Sequence, residues 1–498
     1  MAELYTSYIP FFAVAISLLA VPFILLSSRK RNLREFWTII ASLGKFGLVL
    51  SLLPDALAHR VAQVELLQIS PGIGLALRAD PLGVFFALIA SGLWVFTSFY
   101  SIGYMRGLAE HKQTRYFASF AVCLSATMGI AFSANILTFL TFYEMLTLAT
   151  YPLVIHKETP EAISAGRKYL LYTLSAGVLL IGATAWTYNV AGSLDFRAGG
   201  LLNDVSLPAG TATGLFILFL CGVGVKAAIM PLHSWLPTAM AAPTPVSALL
   251  HAVAVVKAGV FGVMRVVGFV FGPNVMIAFG LNDLLGILAG LTIVVASLLA
   301  LREDNLKRRL AYSTVGHLSY IVLGAALLSP SGFTGGLMHI ATHATMKITL
   351  FFCAGAIYVN VHKENISELD GIGKAMPWTM GAFTVGAIGL AGVPPVNGFV
   401  SKWFLGAGTL ESGNVGALLI LLVSGLLNAG YFFPIIHKAF FKNSTRFEKY
   451  GEASKLMVLP LVATAILSVL FGLWPNLFLR LYDLSTSIAM SVLGGTAR

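Results

Sequence analysis

Apolar side chains run along this chain in long blocks separated by short polar stretches. A helix crossing a bilayer needs about 20 mostly apolar residues. Fourteen blocks meet that length, near 7–27, 36–54, 82–103, 115–133, 135–155, 167–189, 211–231, 245–270, 276–300, 309–329, 333–360, 377–405, 413–436 and 456–479. The pattern predicts an all-α, polytopic membrane protein. The first block is too long for the apolar core of a signal peptide and is followed, not preceded, by the basic stretch Arg29, Lys30, Arg31 and Arg34. It reads as a retained transmembrane helix.

Composition narrows the class further. The 498 residues are 57% apolar and 11% charged, against about 45–50% and about 25% in soluble domains. So few charges could not cover a soluble surface of this size, which excludes a cytosolic enzyme and a disordered chain. The net charge of +11 would point to nucleic acid only if the basic residues clustered on one solvated face. They punctuate the apolar blocks instead, and no nucleic-acid partner is expected. Cys123, Cys221 and Cys353 stand singly in apolar segments, without the CxxC spacing of a metal or redox site.

The basic residues orient the spans. If the loop after the first span is cytoplasmic, the cytoplasmic connections hold 21 of the 32 Lys and Arg residues. The other side holds Arg60, Arg78, Arg197, Arg480 and Arg498. Loops rich in Lys and Arg stay in the cytoplasm, so both termini are expected on the non-cytoplasmic side of the cell (inner) membrane. The widest polar intervals, about 55–80 and 437–456, are too short for a separate domain. No dinucleotide or iron–sulfur centre, and no redox chemistry of the chain's own, is expected.

Six basic residues remain inside the blocks: Lys45, Lys226, Lys257, Arg265, Lys347 and Lys402. A charge at mid-bilayer costs about 2.5–3.5 kcal/mol on insertion scales, so it normally faces a polar interior and marks an ion or proton path. Glu144 is the acidic residue well inside a span. His339, His343 and Lys347 follow one another at four-residue steps and so share a helix face. Histidine suits a relay, because its unperturbed pKa of about 6.5 lets it take and release a proton near neutral pH.

Each of these residues has a plainer reading. Lys45 and Arg265 lie near enough to helix ends to extend their head groups to the interface. Asp283 can be a first-turn acid favoured by the helix dipole. His317 can be a satisfied core histidine, and Glu144, Lys226 and Lys402 can belong to buried structural ion pairs. The HxxxH of His339 and His343 has a zinc-like spacing, but no Glu follows the first His, no Cys or carboxylate adjoins it, and Lys347 would repel a metal. Neither a metal nor haem is expected, and no cofactor. "GIGK" at 371–374 lacks the full phosphate-loop spacing and the preceding strand.

Helix breaks accompany the charges. Pro231 follows Lys226, and Pro394, Pro395 and Gly398 precede Lys402. Proline interrupts a helix, and broken backbone at membrane depth is tolerated where protein or a water-filled cavity surrounds it. The seventh span runs inward and the twelfth outward, so a broken helix with a lysine occurs in both orientations, a pointer to inverted repeats. The expected organisation is an N-terminal three-helix segment at 1–110, a five-helix repeat at 111–272, a second at 273–440, and a C-terminal helix and tail at 441–498.

The strings "KAAIMPLHSWLPTAMAAPTPVSALLHAVAVVKAGVF", "NLKRRLAYSTVGHLSY" and "GVPPVNGFVSKW", together with Glu144 in the fifth span, resemble the antiporter-like subunits shared by respiratory complex I, Mrp-type cation/proton antiporters and membrane-bound group 4 hydrogenases. The resemblance covers nearly the whole chain. It implies a fourteen-helix fold with inverted repeats and a polar axis at mid-membrane. By the same resemblance Glu144 and Lys226 are an interacting pair, His251 and Lys257 lie on a broken eighth helix, and His317, His339, His343 and Lys347 continue the axis. Lys402 matches the ionisable residue of the twelfth helix, and Lys307 also occupies a motif position.

Proton translocation follows as the expected function, with sodium exchange as an option. Lysine at 402 and the short stretch after the last span favour an Mrp D-type subunit or its counterpart in a hydrogenase-like complex, although "PTPVSALLHA" is also similar to the distal complex I type. The implied partners are homologous antiporter-like subunits, small membrane subunits, the lipid bilayer, and a hydrogenase or quinone-reducing module if redox energy drives the complex. Rival readings are a proton pump of a complex I-like or hydrogenase complex, a quinone- or haem-binding membrane component, and a non-conducting scaffold.

Overall fold

The computed structural model describes residues 3–494 apart from 71, 443, 445, 446 and 448. Arg446, a basic residue of the 437–456 interval, and Arg498 lie outside the described residues. Helices dominate. α1 (Ile9–Leu26) and α2 (Arg31–Leu50) pair as a hairpin, followed by the short α3 (Leu53–Leu57) and the long α4 (Pro81–Gly107). α5 (Gln113–Ala131), α6 (Ile136–Val154), α7 (Pro160–Ala191) and α8 (Ala209–Lys226) come next. After a break, the one-turn α9 (Trp235–Thr238) leads to the interrupted eighth span, made of α10 (Thr244–Ala252), α11 (Val255–Arg265), a π-helical segment at Val266–Phe271 and α12 (Gly272–Ala278).

The second half repeats this style. α13 (Leu281–Arg302), α14 (Leu306–Ala326) and α15 (Pro330–Val361) are continuous, and the one-turn α16 (Ile372–Ala375) leads into α17 (Pro377–Ala391). A break separates α17 from α18 (Gly398–Glu411), and α19 (Val415–Phe441), α20 (Lys455–Leu473) and α21 (Leu481–Leu493) complete the chain. Short polar side chains start many of these helices by accepting an otherwise unpaired backbone N–H, as Asp80 does from Gly83 (2.7 Å), Asn135 from Thr138 (2.8 Å) and Asn305 from Arg308 (3.1 Å).

Among the described residues, eleven helices are long and apolar enough to cross a membrane. Helices also occupy the three remaining predicted spans, on α5, α14 and the α17–α18 pair. α5 and α14 are less apolar because Ser, Thr and basic residues take up much of their length, and α17 and α18 are the short halves of one interrupted helix. The breaks fall where the prolines predict: α8 ends at Lys226 before Pro231, and α17 ends at Ala391 before Pro394. Both Met230–Pro231 and Pro394–Pro395 are cis.

Burial locates the centre. The eighth span and α15 are the most buried of the long helices, while α19 and α1 keep wide apolar faces exposed. α15 packs on α10, α14, α17, α18, α20 and α21.

Two features extend the all-α expectation. A three-stranded sheet joins β1 (Glu3–Thr6), β2 (Arg60–Ser70) and β3 (Ile73–Ala79), with β1 parallel and β3 antiparallel to β2. β2 and β3 occupy the polar interval between the second and third spans, and β1 precedes the first span. The tail also carries α21, whose Leu481, Leu484, Ile488 and Val492 are buried.

Candidate functional site

The predicted polar residues on α11, α14, α15 and α18 converge where α11, at the end of the first half, meets the second half. α15 places His339, His343 and Lys347 on one buried face. Lys257, from the start of α11, puts Nζ 2.9 Å from His343 Nδ1. His317, from α14, puts Nδ1 3.1 Å from His339 Nε2, and the two rings stack with centroids 5.3 Å apart. His343 bridges these pairs at 5.5 Å from the His317 ring. His339 Nδ1 reaches Ser401 Oγ at 2.8 Å, beside Lys402 on α18. All of these side chains except Lys402 are fully or almost fully buried.

Lys402 closes this run at the α17–α18 break. Its ammonium donates to the carbonyls of Leu390 (2.7 Å) and Ala391 (3.1 Å), the last residues of α17. Carbonyls at a helix C-terminus lack intrahelical donors, and the helix dipole favours a cation there. The lysine also sits 5.3 Å from the Tyr320 ring, whose own neighbours are His317 and His339. Gly392, at φ 94°, makes the approach possible, because a Cβ there would come within 2.8 Å of Lys402 Cδ.

The first half meets the expectation in part. Glu144 and Lys226 interact electrostatically, as the expectation has it, but make no contact within ion-pair distance. The Lys226 ammonium donates instead to the Tyr143 carbonyl at 2.5 Å and lies 3.4 Å from the centre of the Tyr143 ring. Neighbouring residues on a helix point about 100° apart, and Glu144 turns toward α7, where its carboxyl fills the space left by Gly177. Its Oε1 has no hydrogen-bond partner. Lys226 is fully buried and Glu144 is half-buried.

Three predicted residues stand at the margin of these groups. Lys347 donates to Leu310 O at 3.1 Å and faces the Phe432 ring. His251 packs on Phe351, ring to ring at 4.6 Å, with both nitrogens unpartnered. Lys307, at the start of α14, donates to Ala242 O at 2.8 Å.

The interfacial reading of Lys45 and Arg265 is corrected. Lys45 is fully buried and donates to Ser17 Oγ (2.6 Å) and Leu124 O (3.0 Å). Arg265 is buried among Phe196, Phe261 and Phe269 and grips Asp80 in two bonds of 2.5 and 2.8 Å. Nearby polar groups, so placed, remove the need to reach the interface. Asp283 lies in the first turn of α13 with an exposed side chain, in keeping with its plainer reading.

Tyr143, Tyr320 and Ser401 were missed by the sequence reading. Each adjoins or lies one helical turn from a residue already singled out, which is the signal that would have found them.

The comparisons agree with this architecture. A family model described as NADH:quinone oxidoreductase/Mrp antiporter, transmembrane, matches residues 133–428. The chain is 32% identical over 380 residues to NADH-quinone oxidoreductase subunit N of Desulforudis audaxviator, covering 75% of this chain and 74% of that one. It is 32% identical over 428 residues to hydrogenase-4 component B of Escherichia coli, covering 80% and 62% respectively. It is 30% identical over 446 residues to a Na(+)/H(+) antiporter component of Alkalihalophilus pseudofirmus, covering 82% and 53%. The chain thus spans less than two thirds of the last two relatives.

Two solved structures have the same fold. One is the membrane-bound sulfane sulfur reductase, an archaeal respiratory membrane complex, with a TM-score of 0.86 at 24% identity. The other is the Mrp complex of a Dietzia species, with a TM-score of 0.84 at 20% identity. In each case the match covers 98% of both chains. With its apolar helices and its buried polar run, the chain belongs to the NADH:quinone oxidoreductase/Mrp antiporter transmembrane family, as one of its antiporter-like, multi-span membrane subunits.

Proposed function

We propose that this chain moves protons across the cell (inner) membrane as one subunit of a multisubunit complex, most like an Mrp D-type subunit, with exchange for Na+ as an option the same path leaves open. The observation that carries the reading is the buried run from Lys257 through His343, His317 and His339 to Ser401 and Lys402, drawn from four helices. A buried charge is costly unless something holds it, and these side chains are held by one another and by backbone carbonyls.

Glu144, Lys226, His251, Lys307 and Lys347 are assigned to the same path as its entry and side groups. The repeats at 111–272 and 273–440 are taken as inverted halves, supported by the two proline breaks with a lysine beside each. Basic loops support termini on the non-cytoplasmic side.

The mechanism follows from the chain's own groups. Burial disfavours a charged lysine unless a carboxylate or aligned carbonyls stabilise it. A swing of Glu144 toward or away from Lys226 therefore changes whether that lysine retains its proton. Lys257 and the histidines pass a proton onward, and Lys402 holds it at the C-terminus of α17. Homologous and small membrane subunits are the proposed partners. The relation to hydrogenase-4 component B keeps a redox-driven complex, with a hydrogenase or quinone-reducing module, as a second host for the same chemistry.

The test is reconstitution of the purified complex in proteoliposomes, with proton movement read by an internal pH dye. Glu144→Ala and Lys226→Ala are each expected to abolish it while leaving the complex assembled. Unchanged rates in both variants would overturn the proposal.

A further inference from the structure

One group of ligand-type side chains lies outside the polar run, where two loops meet. Glu110 and His111 sit in the turn between α4 and α5, and His156 follows the C-terminus of α6. The two imidazoles stack with ring centres 5.1 Å apart. His111 Nδ1 is 3.8 Å and His156 Nε2 is 3.9 Å from the same oxygen, Glu110 Oε2. All three ligand-type atoms lie within 4.8 Å of one another. Ligands bound at about 2.0–2.1 Å in a tetrahedral set stand roughly 3.3 Å apart, so small side-chain rotations would close the group on an ion.

A second observation concerns His156 itself. Its side chain is fully buried, yet neither ring nitrogen has a hydrogen-bond partner. Buried polar groups in folded proteins are almost always paired, and an orphan calls for an explanation such as an ion.

The surroundings suit the same task. Glu158 Oε2 lies 4.0 Å from His111 Nε2, the nitrogen pointing away from Glu110. A carboxylate on the far nitrogen of a metal-binding histidine sets its tautomer and turns the other lone pair toward the ion. The neighbouring cations Lys112 and Arg115 bond to Glu158 at 2.7 and 2.6 Å, which partly neutralises them. His111 is 44% exposed and opens the group to solvent.

We propose that Glu110, His111 and His156 form a binding site for a divalent ion of the zinc class, with water completing the coordination and Glu158 orienting His111. The chemistry of the donor set, two imidazoles and one carboxylate, favours zinc-like ions over calcium or magnesium, which take oxygen ligands. A bound ion would tie the α4–α5 turn to the end of α6, the helix that carries Glu144.

The test uses the purified complex stripped with a chelator. Zn2+ is titrated against a competing fluorescent chelator, and Co2+ is added separately to read the visible absorption of a tetrahedral site. Wild type is expected to bind one more equivalent of Zn2+ than His111→Ala, and to show a Co2+ band that the variant lacks. Glu110→Gln, which keeps its size, is expected to weaken the site at least about ten-fold and stands in if His111→Ala fails to assemble. Equal Zn2+ uptake, equal affinity and identical Co2+ spectra in wild type and variants would overturn the proposal.

Discussion

Lys257 Nζ and His343 Nδ1 are 2.9 Å apart, joining α11 to the buried face of α15. An ammonium can only donate, whereas a neutral amine can also accept from an imidazole N–H. The bond therefore exists with the proton on either side. The other nitrogen of His343 has no partner, so a proton received there has an imidazole to carry it but no fixed acceptor to trap it.

Removing either partner should interrupt proton movement without dismantling the fold. Lys257→Met and His343→Ala are each expected to lower the rate by roughly a hundred-fold, the lower end of what a positioned proton donor or acceptor contributes. The check is dye-monitored proton uptake in proteoliposomes, normalised to assembled complex. Rates within two-fold of wild type would show that protons bypass this pair.

Tyr143 supports Lys226 through its backbone carbonyl and the face of its ring. Tyr143→Phe keeps both and should transport at close to the wild-type rate. Tyr143→Ala removes the cation–π contact, worth about 2 kcal/mol when desolvated, and is expected to slow transport clearly. The comparison is read from initial rates. If Tyr143→Phe proved as damaging as Tyr143→Ala, the hydroxyl and not the ring would be the functional group.

The Asp80–Arg265 pair joins the start of α4 to the end of α11. Breaking a buried pair leaves an uncompensated charge and costs about 3–5 kcal/mol, while replacing both partners with apolar residues is far milder. Asp80→Ala should therefore lower the thermal melting point of the detergent-solubilised complex more than the double change Asp80→Leu with Arg265→Met. Equal losses would mean that cavity formation, not the stranded arginine, dominates.

Gly177 leaves room for the Glu144 carboxyl, since a Cβ there would stand 2.7 Å from Glu144 Cδ. The clashing atoms end a flexible side chain, so Gly177→Ala should fold and assemble while displacing Glu144 from its place against α7. Transport is expected to fall with stability unchanged, measured as proton flux beside a melting curve. A variant that lost stability but kept its flux would contradict this account.

The broken helices, the buried lysines and the histidine face of α15 were all legible in the chain, because a charge inside an apolar block or a proline beside it has few explanations in a membrane. Pairing was not. That Lys226 touches Tyr143 directly and feels Glu144 only at longer range depends on which side of α6 faces α8, and apolar blocks without a polar face carry no such information. Arg265 looked close enough to a helix end to reach the interface, because its partner Asp80 lies far away in sequence. The sheet does carry a signal: "VAQVELLQIS" and "IGLALRA" mix polar and apolar positions at short range, as strands do and spans do not.

α15 has a mechanical consequence beyond its side chains. At 1.5 Å per residue its 32 residues reach about 48 Å, well beyond a hydrocarbon layer of about 30 Å, and no proline interrupts it after its first turn. The interrupted helices on its flanks, α10 with α11 and α17 with α18, meet this rod from opposite ends of the polar run. An unbroken helix resists bending more than an interrupted one, so the rod is the stiffer element and the breaks beside it are the places where backbone geometry can change. A displacement at one break would reach the other as a shift of the rod rather than a bend in it, which would link the positions of Lys257 and Lys402 at its flanks.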